Sequence, residues 1–199
     1  CRTCHGLDGF AKIPIAPHIG GEPSSYLQRQ LRAFKSGARR HEMMSVVASS
    51  LSEQQIDDVS AWYAAHKATA SLPAGADPAK APEACTACHG ADGNSPSSAF
   101  PIIAGQHEAY LYTALLAYQS RSRDNAIMSA TIVGKTDQQL RDLAAWFASQ
   151  KGLGGGAGES SGVVAAATAS GALLAEGGAD VAATQSALPD VSRCATGSS

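Results

Sequence analysis

Cys1-Arg2-Thr3-Cys4-His5-Gly6-Leu7-Asp8-Gly9 and Cys85-Thr86-Ala87-Cys88-His89-Gly90-Ala91-Asp92-Gly93 share one frame, C-x-x-C-H-G-x-D-G, at an offset of 84 residues. Carrying that offset outward aligns residues 1–66 with 85–150 without a gap, and 23 of those 66 positions are identical. Beyond the opening frame the identities include Pro17/Pro101, Gly21/Gly105, Tyr26/Tyr110, Arg39/Arg123, Met44/Met128 and Trp62/Trp146. Two copies are too few for a solenoid, which needs about three to be stable. The chain is therefore read as a tandem duplication in which each unit folds around its own core.

Periodicity within a unit is helical, and no convincing alternating strand is present. Ser25 is read as the cap of a helix whose Leu27, Leu31 and Phe34 share a face and which stops at Gly37; Tyr110–Tyr118 is its counterpart. A capping-box pattern opens a second helix in each copy, Ser52 to Gln55 and Thr136 to Gln139. Ile56, Val59 and Tyr63 give the first of these an apolar stripe, as Leu140, Leu143 and Phe147 do the second. The expected fold is all-α, with long loops between few helices.

The expected organisation is a first domain over 1–70, a Pro-rich linker over 71–84 whose end starts a short helix, a second domain over 85–151, and a Gly/Ala-rich tail over 152–199. The tail is expected to be extended or disordered, because it lacks the apolar surface to offset its ordering entropy. Units of this size are marginal on a side-chain core alone, so a bound cofactor is expected to supplement it. A net charge of −2 gives no footprint for nucleic acid, and no stretch approaches the roughly 20 apolar residues of a membrane span. Residue 1 already lies inside a motif, so it is read as following a processed or missing segment.

C-x-x-C-H is the attachment pattern of a c-type haem. One helical turn sets the two thiols for thioether bonds to the vinyl groups, and the adjacent His turns to the iron. Two zinc-type Cys pairs would stand some 15 to 20 residues apart; these stand 80 apart, each in its own repeat. A thioredoxin-like dithiol would need a βαβ setting, and neither it nor a disulfide explains the His after each second Cys. Two haem c groups are therefore expected, held by Cys1, Cys4, Cys85 and Cys88, with His5 and His89 on the irons.

Of three methionines, Met44 and Met128 occupy equivalent positions, in stretches that read as loops before a capped helix. They are assigned as the sixth ligands, with Met43, which aligns with Ile127, as the alternative at the first iron. His–Met ligation closes both faces of the iron and leaves outer-sphere electron transfer in place of catalysis. Pro17 and Pro101, each 12 residues after the ligand His, are expected to offer a carbonyl to its ring N–H. Arg39 and Arg123 are expected to pair with haem propionates or to lie solvated at the surface. Trp62, Trp146, Tyr26 and Tyr110 are read as packing around the haem. His18, His41, His66 and His107 lack counterparts and are read as surface or locally bonded.

On these residues the chain resembles the dihaem cytochromes c4, two class I cytochrome c domains in tandem. The resemblance rests on both C-x-x-C-H-G-x-D-G frames, the following Pro and Gly, the Tyr-Leu helix start, and the Met segments Arg39–Ser45 and Arg123–Ser129; it covers about residues 1–151. It implies a periplasmic carrier, soluble or attached at the membrane face, that takes electrons from a quinol-oxidising complex or dehydrogenase and delivers them to a terminal oxidase or reductase. The same domain pair also looks like the cytochrome subunit of sulfide-oxidising flavocytochromes, a stable component of a larger enzyme. A dihaem peroxidase would need one repeat without a usable Met. Two features depart from the family: no helix precedes Cys1, and the tail has no counterpart. Cys194 in that tail is read as an unpaired thiol, a candidate lipid or intermolecular attachment point.

Overall fold

A computed structural model describes residues 1–66, 77 and 80–153. The described residues form eight helices: α1 Arg2–His5, α2 Ser24–Ser36, α3 Glu42–Ser49, α4 Glu53–Ala64, α5 Glu83–His89, α6 Glu108–Gln119, α7 Ala126–Ile132 and α8 Asp137–Ala148. The expected all-α architecture is thus observed, with the second four helices repeating the first. In the first unit α2 packs on α3 and α4; in the second α6 packs on α7 and α8. Cys194 and most of the linker and tail lie outside the described residues, although α5 does begin before Cys85, at Glu83.

Both capping boxes form as read. The Ser52 and Thr136 hydroxyls accept from the Gln55 and Gln139 amides, and each Gln side chain accepts from the cap amide in return. At α2 the start differs from expectation: Pro23 is the cap, and the Ser25 hydroxyl donates instead to the Ser98 carbonyl of the other unit. Proline presets the backbone for entry to the helix, and its carbonyl accepts from the Tyr26 and Leu27 amides. Leu27 and Phe34 face the core, and Gly37 ends the helix in the left-handed region at φ 80°.

The methionine stretches are not loops. Both enter short helices, α3 and α7, at the third residue. His41 and Asn125, in extended backbone, accept hydrogen bonds from the Met44 and Met128 amides through Nδ1 and Oδ1. These caps lack the Ser/Thr-x-x-Glu/Gln signature, which is why the helices were not visible in the pattern.

Each unit closes its loop on one glycine carbonyl. The amides of Ile19 and Gly20 donate to Gly9 O, and those of Ile103 and Ala104 to Gly93 O. A cluster of Leu111, Leu143, Ala144, Trp146 and Phe147 forms the second core, with Ala81 and Cys85 packed against it. Such side chains contribute about 1.5–3 kcal/mol each when fully buried. The aligned tryptophans diverge: Trp146 is 1% exposed and Trp62 is 56% exposed, its indole N–H donating to Leu7 O. Packing also runs past Lys151, since buried Leu153 donates its amide to Ala104 O at 2.8 Å.

The two units meet face to face. An isolated antiparallel bridge joins Arg39 to Arg123, and side chains cross in both directions around it. His18, read as surface or locally bonded, is buried in this junction with its ring 4.1 Å from that of His107. Comparing repeats could not reveal it, because a junction between copies is where the copies have reason to differ.

Candidate functional site

The imidazoles come first in each pocket. His5 ends α1 and His89 ends α5; both are buried, and Nδ1 of each lies 2.8 Å and 2.9 Å from the carbonyls of Pro17 and Pro101 respectively. An Nδ1–H donating to a carbonyl places the lone pair on Nε2, the atom left for a metal. Burial lowers the pKa of both rings, against a smaller opposing pull from the proline carbonyl. The neutral, ligating form is therefore the one present at neutral pH.

In each unit one thiol sits a turn before the imidazole and the other directly before it. Cys1 and Cys4 are exposed, and Cys85 and Cys88 are half-buried. Across the first pocket Met44 is half-buried while Met43 is 65% exposed; in the second, Met128 is half-buried while Ile127 is 59% exposed. The aligned pair is thus the inward-turned one in both units.

A cleft of about 380 Å³ is lined by Cys1, Cys4, His5, Leu27, Phe34, Met43, Met44 and Tyr63. Apolar walls with thiols, an oriented imidazole and a thioether suit a flat, mostly apolar macrocycle carrying iron, so these residues fit a haem. The same cleft reaches Tyr26, Gln30, Arg39, Tyr110 and Arg123 at the junction.

Both arginines turn into that junction, and each reaches the other unit. Arg39 donates to Gln30 Oε1 at 2.6 Å and to the Tyr110 hydroxyl at 3.3 Å, with its guanidinium 4.4 Å above the Phe34 ring. Arg123 donates to the Tyr26 hydroxyl at 2.8 Å and to Gln30 Oε1 at 2.9 Å, and lies 4.6 Å above Tyr118. Arg123 is buried, and the described ion pairs leave both arginines without a carboxylate. A buried cation held only by neutral groups suits an anion such as a haem carboxylate. Repetition singled out Arg39, Arg123, Tyr26 and Tyr110 but not their crossed pairing, and Gln30, which aligns with Ala114, gave no signal at all.

The cytochrome c family model matches residues 78–151. A thiosulfate dehydrogenase electron acceptor from Thiomonas intermedia is 32% identical over 170 residues, 75% of this chain and 78% of that protein. Cytochrome c4 from Thiocapsa roseopersicina is 32% identical over 167 residues, 74% of this chain and 85% of that protein. The structure of Acidithiobacillus ferrooxidans cytochrome c4 superposes with a TM-score of 0.63 at 28% identity, covering 75% of this chain and 98% of that one. The cofactor is accordingly haem c, covalently bound, one for each of the two C-x-x-C-H frames. The chain belongs to the cytochrome c4 family, the dihaem c-type cytochromes that carry electrons.

Proposed function

We propose that the protein is a periplasmic relay that takes single electrons from a dehydrogenase or quinol-oxidising complex and passes them to a terminal oxidase or reductase. Its irons are ligated by His5 with Met44 and by His89 with Met128, and its macrocycles are tethered through Cys1, Cys4, Cys85 and Cys88. The carrying observation is duplication of the whole ligand set: in both units a proline carbonyl holds the imidazole and the aligned Met is turned inward. Bound haem c under His–Met ligation supplies one-electron Fe(III)/Fe(II) chemistry with no open position for a substrate. The chain's own part is to fix the Nε2 direction, hold the thioether opposite it, and meet the cofactor's carboxylates with Arg39 and Arg123. Among the described residues no helix is long and apolar enough to cross a membrane.

Methionine replacement tests the ligand assignment. Met44→Ala and Met128→Ala should each abolish the methionine–iron charge-transfer band of one ferric haem and let its ferrous form bind carbon monoxide, while Met43→Ala leaves both bands intact. Loss of a band in Met43→Ala with retention in Met44→Ala would reassign the first iron.

A fixed subunit of a larger redox enzyme is the second reading, favoured by the likeness to an electron acceptor of a thiosulfate dehydrogenase. A relative that serves as electron acceptor of a thiosulfate dehydrogenase makes a sulfur-compound dehydrogenase the donor class to try first. Native purification at high salt separates the readings: a diffusible relay is recovered alone, a subunit with its enzyme.

A further inference from the structure

The repeat offset places Glu22 opposite Gln106 and His18 opposite Ile102, and the structure uses both pairs across the junction. Gln106, buried, grips the His18 backbone at two points: Oε1 accepts from the His18 amide at 2.8 Å and Nε2 donates to the His18 carbonyl at 2.9 Å. Glu22, equally buried, grips the equivalent residue of the other unit, its Oε2 accepting from the Ile102 amide at 2.9 Å. A carboxylate can only accept, so the second half of the grip, a bond to the Ile102 carbonyl, requires a proton on the acid. A protonated carboxylic acid has one donor and one acceptor in the arrangement of a primary amide, which is how Gln106 already works.

We propose that Glu22 carries a proton when the two units are docked and, as a neutral acid, closes on Ile102 the same two-point clamp that Gln106 closes on His18. The seat selects the neutral form because burial without a salt-bridge partner penalises a carboxylate. Burial pushes the Glu22 carboxyl up to about 8, against smaller downward pulls from the Ile102 amide and the Arg123 charge. The groups facing it are Arg123 and the Tyr26 and Tyr110 hydroxyls. Arg123 is the only one of these that favours ionisation, and it is already engaged with Tyr26 and Gln30. An anion bound to Arg123 would strengthen the hold on the proton. The clamp on Ile102 thereby becomes proton-dependent, whereas the Gln106 side chain that closes the clamp on His18 does not itself titrate.

The test uses the reduced, diamagnetic holoprotein with ¹³C-labelled glutamate. The Glu22 carboxyl signal, assigned by its loss in Glu22→Gln, should have the shift of a carboxylic acid below about pH 8 and move to that of a carboxylate above it. Denaturant unfolding across the same range should show the folding constant of the wild type falling as pH rises, by at most tenfold per unit. Glu22→Gln should remove that fall while keeping the low-pH stability of the wild type. Gln106→Glu should add a second decline of the same sign. A carboxylate shift for Glu22 at neutral pH, or an unchanged pH profile in Glu22→Gln, overturns the proposal; the carboxyl signal decides it even if Gln106→Glu fails to fold.

Discussion

At the scale of single residues, the two copies of one position can serve as controls for each other. Gly37 and Arg121 align, and both stand in the left-handed region, at φ 80° and 57°. Glycine occupies that region without penalty, whereas a side chain costs about 1 kcal/mol or more there. Arg121→Gly should therefore stabilise the holoprotein by roughly 0.5–1 kcal/mol in denaturant unfolding, less whatever the freer unfolded chain takes back. Gly37→Ala should destabilise by about 1 kcal/mol and no more, because nothing lies within 4 Å of its added Cβ. Gly9→Ala meets the backbone of Gly20 and the ring of Tyr63 as well as a φ of 84°, so its cost should exceed that of Gly37→Ala by about 1–3 kcal/mol. Equal losses in the two alanine variants would mean that the Gly9–Gly20 contact relaxes freely.

At the scale of elements, the short methionine helices depend on caps that differ between units. Asn125 Oδ1 accepts from the Met128 amide, so Asn125→Ala removes the cap of α7 and should cost about 0.5–2 kcal/mol in unfolding. A retained cap elsewhere makes Asn125→Ser the rescuing control, since a hydroxyl can take the same amide. These helices also mark where pattern reading ran short. Ser52 with Gln55 and Thr136 with Gln139 were legible because their signature is local in sequence and needs no partner. His41 and Asn125 carry no such signature, and Ser25, which did resemble a cap, spends its hydroxyl on Ser98 of the other unit. The pockets were more legible than the helices that hold them. Cys, His, Pro and Met recur at one offset because each unit needs the same donors, and the structure has His5 on Pro17 and His89 on Pro101. Trp62 and Trp146 recur equally, and Trp146 lies in the second core with Leu143 and Phe147.

At the scale of the whole molecule, the junction holds two buried groups that titrate in opposite senses. His18, shielded from water and beside His107, has its pKa lowered to about 4 from 6.5; Asp8 opposes this only in part. The unfolded chain therefore binds more protons than the native one between about pH 4 and 6.5, and stability from His18 is present above 6.5 and lost as pH falls through that window. Glu22, raised from 4.5 to about 8, has the reverse sign: its stability is present below 4.5 and lost as pH rises through 8. Each proton difference changes stability by about 1.4 kcal/mol per pH unit at most. Where the windows overlap, from about 4.5 to 6.5, the two slopes cancel and stability from these groups should be flat; from 6.5 to 8 it should fall with Glu22 alone. His18→Ile copies the residue that the second unit has at this place and leaves the backbone amide and carbonyl for Gln106. It should extend the decline down to about pH 4.5, and it also removes a buried ring nitrogen, Nδ1, that has no partner among the described residues. Glu22→Gln should instead leave a rise from about pH 4 to 6.5 followed by a plateau. The double variant should show neither slope, because it retains neither titrating group. Unfolding of the four holoproteins across this range reads out the prediction, and a double variant that keeps the wild-type profile would place the pH dependence of the junction elsewhere.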